Sequence, residues 1–224
     1  MQSQGSFLFD LDGTLVDSVY QHVLAWDEAL KQEGIDLSIW RIHRKIGMSG
    51  GLFSHMLLRE TGLDISPERI ERLQKRHAEG YRARALSVRP LPGARELLAH
   101  LTEAAIPWAV ATSGRMETAG PALETLGVDL ERVVVVTRDQ VRYAKPDPDL
   151  FLTAAARLGV EILTATVVGD SVWDMLASRR ARALGIGLLS GGYGQEELER
   201  AGAYRVYEDP ADMLRRIDEV AGRH

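Results

Sequence analysis

The stretch FLFDLDGTLVDS, residues 7–18, largely determines how this chain can fold. It opens with three apolar residues, 7–9, and passes directly into Asp10 and Asp12. A short run that is apolar at every position is typical of a strand buried on both faces of a parallel sheet. Ligands bind beyond the carboxyl ends of the strands in such sheets, so both carboxylates are predicted to lie at a binding edge.

Four further runs of the same kind occur after residue 93, and patterns of helical period separate them. This alternation is typical of parallel strands joined by crossover helices. The predicted strands cover residues 108–112, 133–136, 166–169 and 184–188. The sequence therefore predicts an α/β fold with a Rossmann-like parallel sheet as its core.

The chain between the first strand and residue 89 has a different pattern. Apolar residues such as Val23, Trp26 and Leu30 recur there at helical spacing, and no β-rich run interrupts them. The segment closes with RPLPG at residues 89–93, where two prolines restrict the backbone to extended geometry. We predict an α/β core built from residues 1–16 and 89–224, and an all-α insert at residues 17–88.

Composition limits the classes of function. The 224 residues are 45% hydrophobic and 26% charged, as in ordinary globular proteins, and the net charge of -5 is scattered, so nucleic acid is not a predicted partner. The absence of cysteine excludes disulfides and thiolate chemistry. The first residues contain neither a basic leader nor a long apolar stretch, which predicts a cytoplasmic location without a membrane partner. The oligomeric state stays open.

Polar residues follow the predicted strands. Thr112 ends the second strand, Lys145 lies in the loop after the third, and Asp170 follows the fourth, with Asp174 one helical turn later. Because parallel strands end at one edge of the sheet, these side chains are predicted to converge with those of the first strand. Several carboxylates in one place repel each other unless a cation joins them, and oxygen ligands favour Mg²⁺.

This set of residues suits phosphoryl transfer. The transferring group spreads negative charge over three oxygens, and a metal on Asp170, the Lys145 ammonium and the Thr112 hydroxyl would stabilise that charge. One carboxylate can attack phosphorus while a second exchanges protons with the leaving oxygen and water. Asp10 and Asp12, two residues apart and on one side of the chain, have the offset that this requires.

Four motifs resemble the haloacid dehalogenase superfamily of phosphatases and phosphomutases: FLFDLDGTLVDS, VATSG, AKPDPDLF and VVGDSVWDM. The resemblance implies a parallel sheet of five or six strands with a helical cap after the first motif, as in the phosphoglycolate phosphatase and β-phosphoglucomutase subfamily. It implies that Asp10 is the nucleophile that forms an aspartyl-phosphate, and that Asp12 is the general acid/base, with its backbone carbonyl on the metal. It also implies that Asp170 ligates Mg²⁺ directly.

By the same resemblance, Thr112 and Lys145 bind the transferring phosphoryl group, and Asp174 supports the metal through water. Ser113 is expected to border the substrate and to cap the following helix, since hydroxyls are favoured at helix starts. The metal-site residues are thus predicted to be Asp10, Asp12, Asp170 and Asp174.

Residues of the insert are predicted to select the substrate. His22 lies one turn into the first helix, where histidines are more often structural, and similarity to sugar-phosphate enzymes makes a substrate contact an equal alternative. Gly47 and Ser49 belong to a glycine-rich loop that is predicted to approach the substrate, although its glycines could simply separate two helices. Trp26 is assigned to packing.

These expectations predict a Mg²⁺-dependent phosphatase acting on a small phosphorylated metabolite, such as a sugar phosphate or a phosphoglycolate-like acid. A sugar phosphomutase is the alternative among enzymes, and a non-catalytic phosphate- or metal-binding module is the alternative outside them. The dehalogenases of the superfamily carry an aromatic residue in place of Asp12, which speaks against dehalogenation. The mutases carry an arginine where this chain has Gly50, which favours the phosphatase, although Arg44 or Lys45 could substitute.

Overall fold

A computed structural model describes residues 5–63 and 66–220, and the structural statements below concern these residues. The first strand, β1 (Ser6–Phe9), is buried at all four positions and lies in the middle of a six-stranded sheet. It pairs in parallel with β4 (Trp108–Ala111) on one side and β6 (Ala165–Gly169) on the other. The most apolar part of the quoted stretch therefore occupies the centre of the sheet.

The sheet extends outward from these three strands. On one side β5 (Val134–Val136) pairs with β4, and on the other β7 (Leu184–Leu188) and β8 (Ala203–Tyr207) follow β6. All neighbours are parallel and the order is β5-β4-β1-β6-β7-β8. The predicted α/β fold with a Rossmann-like parallel core is confirmed.

Strand β8 was not predicted. Its residues Tyr204 and Arg205 are exposed and Tyr207 is buried. An edge strand is partly solvated and need not read as a continuous apolar run, which was the signal used for the other strands.

Helices cover both faces of the sheet. Successive side chains of β1 point to opposite faces, so they pack against different helices. Phe7 and Phe9 share an apolar cluster with one set of helices, and Leu8 shares a second cluster with another set. The first set comprises α5 (Ala94–Glu103), α6 (Met116–Thr125) and α10 (Pro210–Arg215), and the second α7 (Asp149–Leu158) and α8 (Val172–Ala181). The remaining helix, α9 (Gln195–Ala201), contacts α8 and β8.

The insert is helical. Its helices are α1 (Val19–Gln32), α2 (Ile39–His43), α3 (Gly50–Thr61) and α4 (Pro67–Arg84). Val23, Trp26 and Leu30, which the sequence pattern singled out, lie in an apolar cluster of these helices separate from the clusters under the sheet. Among the described helices, none combines the length and the apolar character needed to cross a bilayer.

A two-stranded ribbon stands where the chain enters and leaves the insert. β2 (Val16–Asp17) pairs antiparallel with β3 (Arg89–Pro90), and Leu91 N–H donates to Leu15 O at 2.9 Å. The sequence pattern did not show this pairing. We propose that the ribbon joins a core of residues 1–16 and 89–224 to a cap of residues 17–88.

Candidate active site

The loop after β1 holds the two paired carboxylates. Asp10 N–H donates to Val168 O at 2.9 Å, so the β1 ladder continues to the first carboxylate. The chain then turns at Gly13, whose φ is +81° and whose N–H donates to Val16 O at 2.8 Å. A Cβ at Gly13 would lie 2.6 Å from Asp170 Oδ2, so glycine is needed there both for conformation and for space.

Three carboxylates meet at the carboxyl ends of β1 and β6. One oxygen each from Asp10, Asp170 and Asp174 lies within 4.8 Å of the others, and all three residues are buried. The structure thus brings together three of the four predicted metal-site residues through their side chains. Asp12 was predicted to contact the metal through its backbone carbonyl, and that contact stays a prediction.

Lys145 provides the positive charge inside this cluster. It is fully buried, and its Nζ contacts Asp10 Oδ1 and lies 2.8 Å from Asp174 Oδ1. Burial alone would lower the pKa of Lys145, but the two carboxylates outweigh it and raise that pKa to about 12. The ammonium therefore stays charged at any physiological pH.

One ammonium does not balance three carboxylates. Burial raises the pKa of Asp10 to about 7, with Lys145 opposing the rise and Asp174 adding to it. Burial, together with Asp174 and Asp10, also raises the pKa of Asp170 well above its usual value. A divalent cation would favour the ionised forms of both acids and lower their pKa values again.

The surroundings of Asp170 suit a hard cation such as Mg²⁺. Thr14 Oγ1 donates to Asp170 Oδ1 at 2.9 Å, which fixes the orientation of the carboxylate. A Cβ built on Gly191 would lie 1.7 Å from Asp170 Oδ2, so only a glycine lets the backbone approach this closely. The donor set contains oxygen alone, is buried and carries excess negative charge, so it could hold a hard divalent cation.

Replacing Gly191 by Ala is expected to push the Asp170 carboxylate away from the cluster. We expect the apparent affinity for Mg²⁺ to fall by about 10- to 100-fold, as when the support of a metal ligand is lost. The measurement is a Mg²⁺ titration of both activity and binding heat. Gly120→Ala is the matched control, because a Cβ there meets nothing within 4 Å. Equal Mg²⁺ affinity in both variants would contradict this role of Gly191.

Asp12 has different surroundings from Asp10. Ser18 Oγ donates to Asp12 Oδ1 at 2.6 Å, and His22 Nε2 lies 3.2 Å from the same oxygen. Burial opposes ionisation, but His22 and Ser18 outweigh it and hold the pKa of Asp12 below its usual value. Both contacts use Oδ1, so Oδ2 is left without a hydrogen bond among the described residues. A bound phosphate would raise the pKa of Asp12, because like charges disfavour ionisation.

His22 continues into a stack of aromatic rings in the insert. Its Nδ1 lies 3.1 Å from His77 Nε2, and its ring stacks on Tyr81 at 3.9 Å between centroids. His77 in turn stacks on Trp26 at 4.2 Å. Burial and the neighbouring His22 lower the pKa of His77 well below its usual value, so His77 is neutral. Helices α1 and α4 therefore reach the Asp12 carboxylate through this pair of imidazoles.

Sequence reasoning missed His77, since it belongs to no motif and lies 55 residues from His22. It also assigned Trp26 to packing. Trp26 is buried, but it lines the same cavity as His77. Two further contacts were missed, Ser18 on Asp12 and Thr14 on Asp170. Both hydroxyls lie within residues 7–18, where a hydroxyl near a carboxylate could have indicated a hydrogen bond to it.

The loop after β4 offers two hydroxyls. Thr112 Oγ1 accepts a hydrogen bond from Gly114 N–H at 2.9 Å, and Ser113 Oγ is buried without a hydrogen-bond partner among the described residues. Helix α6 begins at Met116, with Arg115 as its N-cap, so the expectation that Ser113 caps this helix is wrong. Both hydroxyl-bearing residues line the cavity, and their contact with a phosphoryl group stays a prediction.

A cavity of about 220 Å³ lies between the insert and the sheet. Asp10 and Asp12 line its base, and His22, Gly47 and Met48 line it from the insert. Gly47 has a φ of +97°, and a Cβ there would meet the Ser171 hydroxyl at 2.7 Å, so this loop packs against the core. The volume suits a small metabolite.

Ser49 does not occupy the place expected for a substrate contact. Its hydroxyl accepts a hydrogen bond from Leu52 N–H at 3.4 Å as the N-cap of α3, and Ser49 is not among the described residues that line the cavity. The free N–H groups of the first helical turn compete for this hydroxyl, as is usual where serine precedes a helix.

A second contact fastens the insert to the core beside the metal-site residues. A ring nitrogen of His43 lies 2.8 Å from Gly191 O, and Tyr193 O–H donates to Arg44 O at 2.9 Å. The Arg44 guanidinium lies 4.1 Å above the Tyr193 ring and pairs with Glu197. The insert therefore contacts residues 191–197, the segment whose first residue also packs against Asp170.

The family profile described as haloacid dehalogenase-like hydrolase matches residues 6–182, which include all four motifs. The chain belongs to this family. As a haloacid dehalogenase-like hydrolase, it shares its fold with a hydrolase from Pseudomonas syringae at a TM-score of 0.96 and 56% identity, over 98% of this chain and 100% of that structure.

Curated relatives of this hydrolase are phosphatases. Hexitol phosphatase A of Escherichia coli (strain K12) is 35% identical over 179 residues, 78% of each chain. The phosphoglycolate phosphatase of Caulobacter vibrioides is 31% identical over 207 residues, 92% of this chain and 87% of the relative. The relatives thus include an enzyme named for a sugar alcohol and one named for an acid.

Proposed function

We propose that this hydrolase is a Mg²⁺-dependent phosphatase that releases phosphate from a small phosphomonoester through an aspartyl-phosphate on Asp10. The observation that carries the proposal is the contrast between two carboxylates of one loop. Asp10 lies against Lys145 in the acidic cluster, whereas Asp12 lies against His22 and Ser18. Two carboxylates in such different surroundings suit a nucleophile and a separate general acid/base.

In the first step an oxygen of the Asp10 carboxylate forms a bond to phosphorus, and the bond between phosphorus and the leaving oxygen breaks. Asp12, protonated in the presence of the phosphate, gives its proton to that oxygen. In the second step Asp12 takes a proton from water, whose oxygen attacks phosphorus and restores Asp10. Lys145 and the Thr112 hydroxyl neutralise charge on the other phosphoryl oxygens in both steps.

Asp10, Asp170 and Asp174 would hold the Mg²⁺, with the Asp12 carbonyl as the further ligand that the family resemblance implies. When bound, the ion supplies positive charge to the phosphoryl oxygens and to the carboxylates. Lys145 adds a charge that does not depend on the ion, and Thr14 keeps Asp170 oriented. The ion and the Lys145 ammonium would together oppose the repulsion between the nucleophile and an incoming phosphate.

Water, rather than a sugar hydroxyl, is the proposed acceptor of the phosphoryl group. A mutase must hold a second phosphate, usually with a guanidinium. The two residues that could replace the missing arginine are both engaged, since Arg44 pairs with Glu197 and Lys45 Nζ lies 2.7 Å from Glu60 Oε1. Gly50, at the position of that arginine, lines the cavity.

We expect the purified chain to hydrolyse para-nitrophenyl phosphate with Mg²⁺ and to lose this activity in excess chelator. Ca²⁺ is expected to restore it poorly, because its longer and more flexible coordination displaces the nucleophile. Release of para-nitrophenol with each ion measures the effect. Full turnover in chelator would remove the metal from the proposal, and no turnover under any condition would favour a non-catalytic binding module.

The phosphatase proposal is tested against the mutase with β-glucose 1-phosphate and a trace of the 1,6-bisphosphate. We expect free phosphate to form without accumulation of glucose 6-phosphate, or no reaction on this sugar at all. Glucose 6-phosphate that outruns free phosphate many-fold would assign the enzyme as a mutase.

A further inference from the structure

Arg138 lines the cavity close to the proposed general acid/base. It follows β5 in the short 3-10 turn Arg138–Gln140, and its backbone N–H donates to Gly114 O at 2.9 Å. Gly114 borders Asp12, because a Cβ built on it would lie 3.9 Å from Asp12 Oδ2. One residue, Gly114, therefore lies between the backbone of Arg138 and Asp12 Oδ2.

Arg138 differs from the other charged residues around the cavity. Those outside the catalytic set are neutralised, in the pairs Lys45 with Glu60, Arg115 with Asp139 and Glu117 with Arg82. The guanidinium of Arg138 forms no ion pair with a carboxylate of the described chain. Its side-chain hydrogen bond runs from Nη1 to Val141 O at 2.9 Å, which leaves most of its donors free.

We propose that Arg138 binds a carboxylate of the substrate, so that the enzyme prefers phosphorylated hydroxy acids to phosphorylated alcohols of equal size. This inference rests on the proposed phosphatase function. A half-buried guanidinium with free donors matches a carboxylate in charge and in planar, two-pronged geometry. A second phosphate would carry more charge than this single cation balances.

The position of Arg138 also limits the length of the substrate. The phosphoryl group must lie beside both Asp10 and Lys145, and the leaving oxygen must lie at Asp12 Oδ2, next to the Gly114 loop. A carboxylate on Arg138 then belongs to a substrate short enough to reach from Asp12 Oδ2 to Arg138 within the same cavity. The cavity of about 220 Å³ is below the usual size of ligand pockets, about 300–1,000 Å³, which agrees with an acid of few carbons.

The test uses two pairs of substrates. Within each pair, one compound carries a carboxylate where the other carries a hydroxymethyl group. The pairs are phosphoglycolate with 2-hydroxyethyl phosphate, and 3-phosphoglycerate with glycerol 3-phosphate. Phosphate release with saturating Mg²⁺ gives kcat/KM for each compound. In the wild type we expect the acid of each pair to be favoured by about 10- to 100-fold, the factor typical of one hydrogen-bonded charge.

Arg138→Gln is expected to bring the ratio of acid to alcohol close to one, and Arg138→Lys, which keeps the charge without the fork, to give an intermediate ratio. Arg142→Gln is the matched control, because Arg142 is an exposed arginine of the same loop that lies 5.1 Å above the Tyr143 ring and does not line the cavity among the described residues. It is expected to keep the wild-type ratio. Should the glutamine variant not fold, the lysine variant carries the test.

Two results would overturn the inference: a wild type that hydrolyses acids and alcohols equally, or an Arg138 variant that slows both members of each pair by the same factor. Para-nitrophenyl phosphate separates this from failure of the proposed function. If the wild type cleaves para-nitrophenyl phosphate but shows no preference for acids, the assignment of Arg138 alone is wrong. If no phosphomonoester is cleaved, the phosphatase proposal falls as well.

Discussion

Asp10→Asn is expected to lower kcat for phosphomonoester hydrolysis by about 10⁴- to 10⁶-fold, the range seen when an enzyme loses its covalent nucleophile. The amide has nearly the shape of the carboxylate but offers no anionic oxygen to attack phosphorus. Because the amide is uncharged, it no longer neutralises Lys145, whose positive charge is then free to attract phosphate. We therefore expect Asp10→Asn to bind phosphate analogues more tightly while it loses turnover. The measurement is single-turnover phosphate release at saturating Mg²⁺.

Asp17→Asn is the matched control for this prediction. Asp17 belongs to the same stretch of sequence but is exposed on β2, so its variant is expected to keep wild-type turnover. Acid quench of the wild type during turnover should yield a phosphorylated peptide that contains Asp10. An Asp10→Asn variant with more than about one hundredth of wild-type activity would indicate direct attack by water instead.

Lys145→Met is expected to produce the largest loss of stability, about 3–5 kcal/mol in the absence of metal, because it leaves buried carboxylates without their cation. Protonation of Asp10 and Asp170, whose pKa values are already raised, limits the loss. Mg²⁺ should stabilise the variant by neutralising the same carboxylates, while activity stays low because Lys145 is also proposed to contact the transferring group. Urea unfolding with and without Mg²⁺ measures both effects.

The control for this variant is Lys31→Met. Lys31 pairs with Asp27 at 2.8 Å on the surface of α1, with 59% of its side chain exposed, and its loss should cost less than about 1 kcal/mol. If Lys145→Met were as stable as Lys31→Met without metal, the buried ammonium would not be what keeps the acidic cluster folded.

The sequence predicted the residues that follow the strands, and the structure brings those residues together. The reason is that a buried strand and the residue after it form one local signal, and parallel topology sends all such residues to one edge of the sheet. Asp10, Lys145, Asp170 and Asp174 each follow from that reasoning. Thr14 lies in the same stretch of chain, but its hydrogen bond to Asp170 was not predicted.

Residues of the insert were predicted less well. Ser49 was expected to reach the substrate but caps α3. Ser113 of the core was expected to cap α6, but it lines the cavity and its hydroxyl has no hydrogen-bond partner among the described residues. A serine before a helix and a serine beside a phosphate have the same local sequence. The role of each serine depends on where the helix begins: α3 begins directly after Ser49, whereas α6 begins at Met116, three residues after Ser113.

By itself the sequence determined the α/β class, the helical character of the insert, the order of the motifs and the carboxylate pair of the first one, because these depend on hydrophobic period and on neighbours along the chain. Only the tertiary structure decided which insert residues reach the site. His77 meets His22 across 55 positions, and Gly191, after β7, packs against Asp170, after the neighbouring β6. Within the described part of the chain, Arg138 pairs with no carboxylate, whereas Arg115 on the same cavity pairs with Asp139. Contacts of this kind depend on how whole helices and strands pack, and no local pattern of residues predicts them.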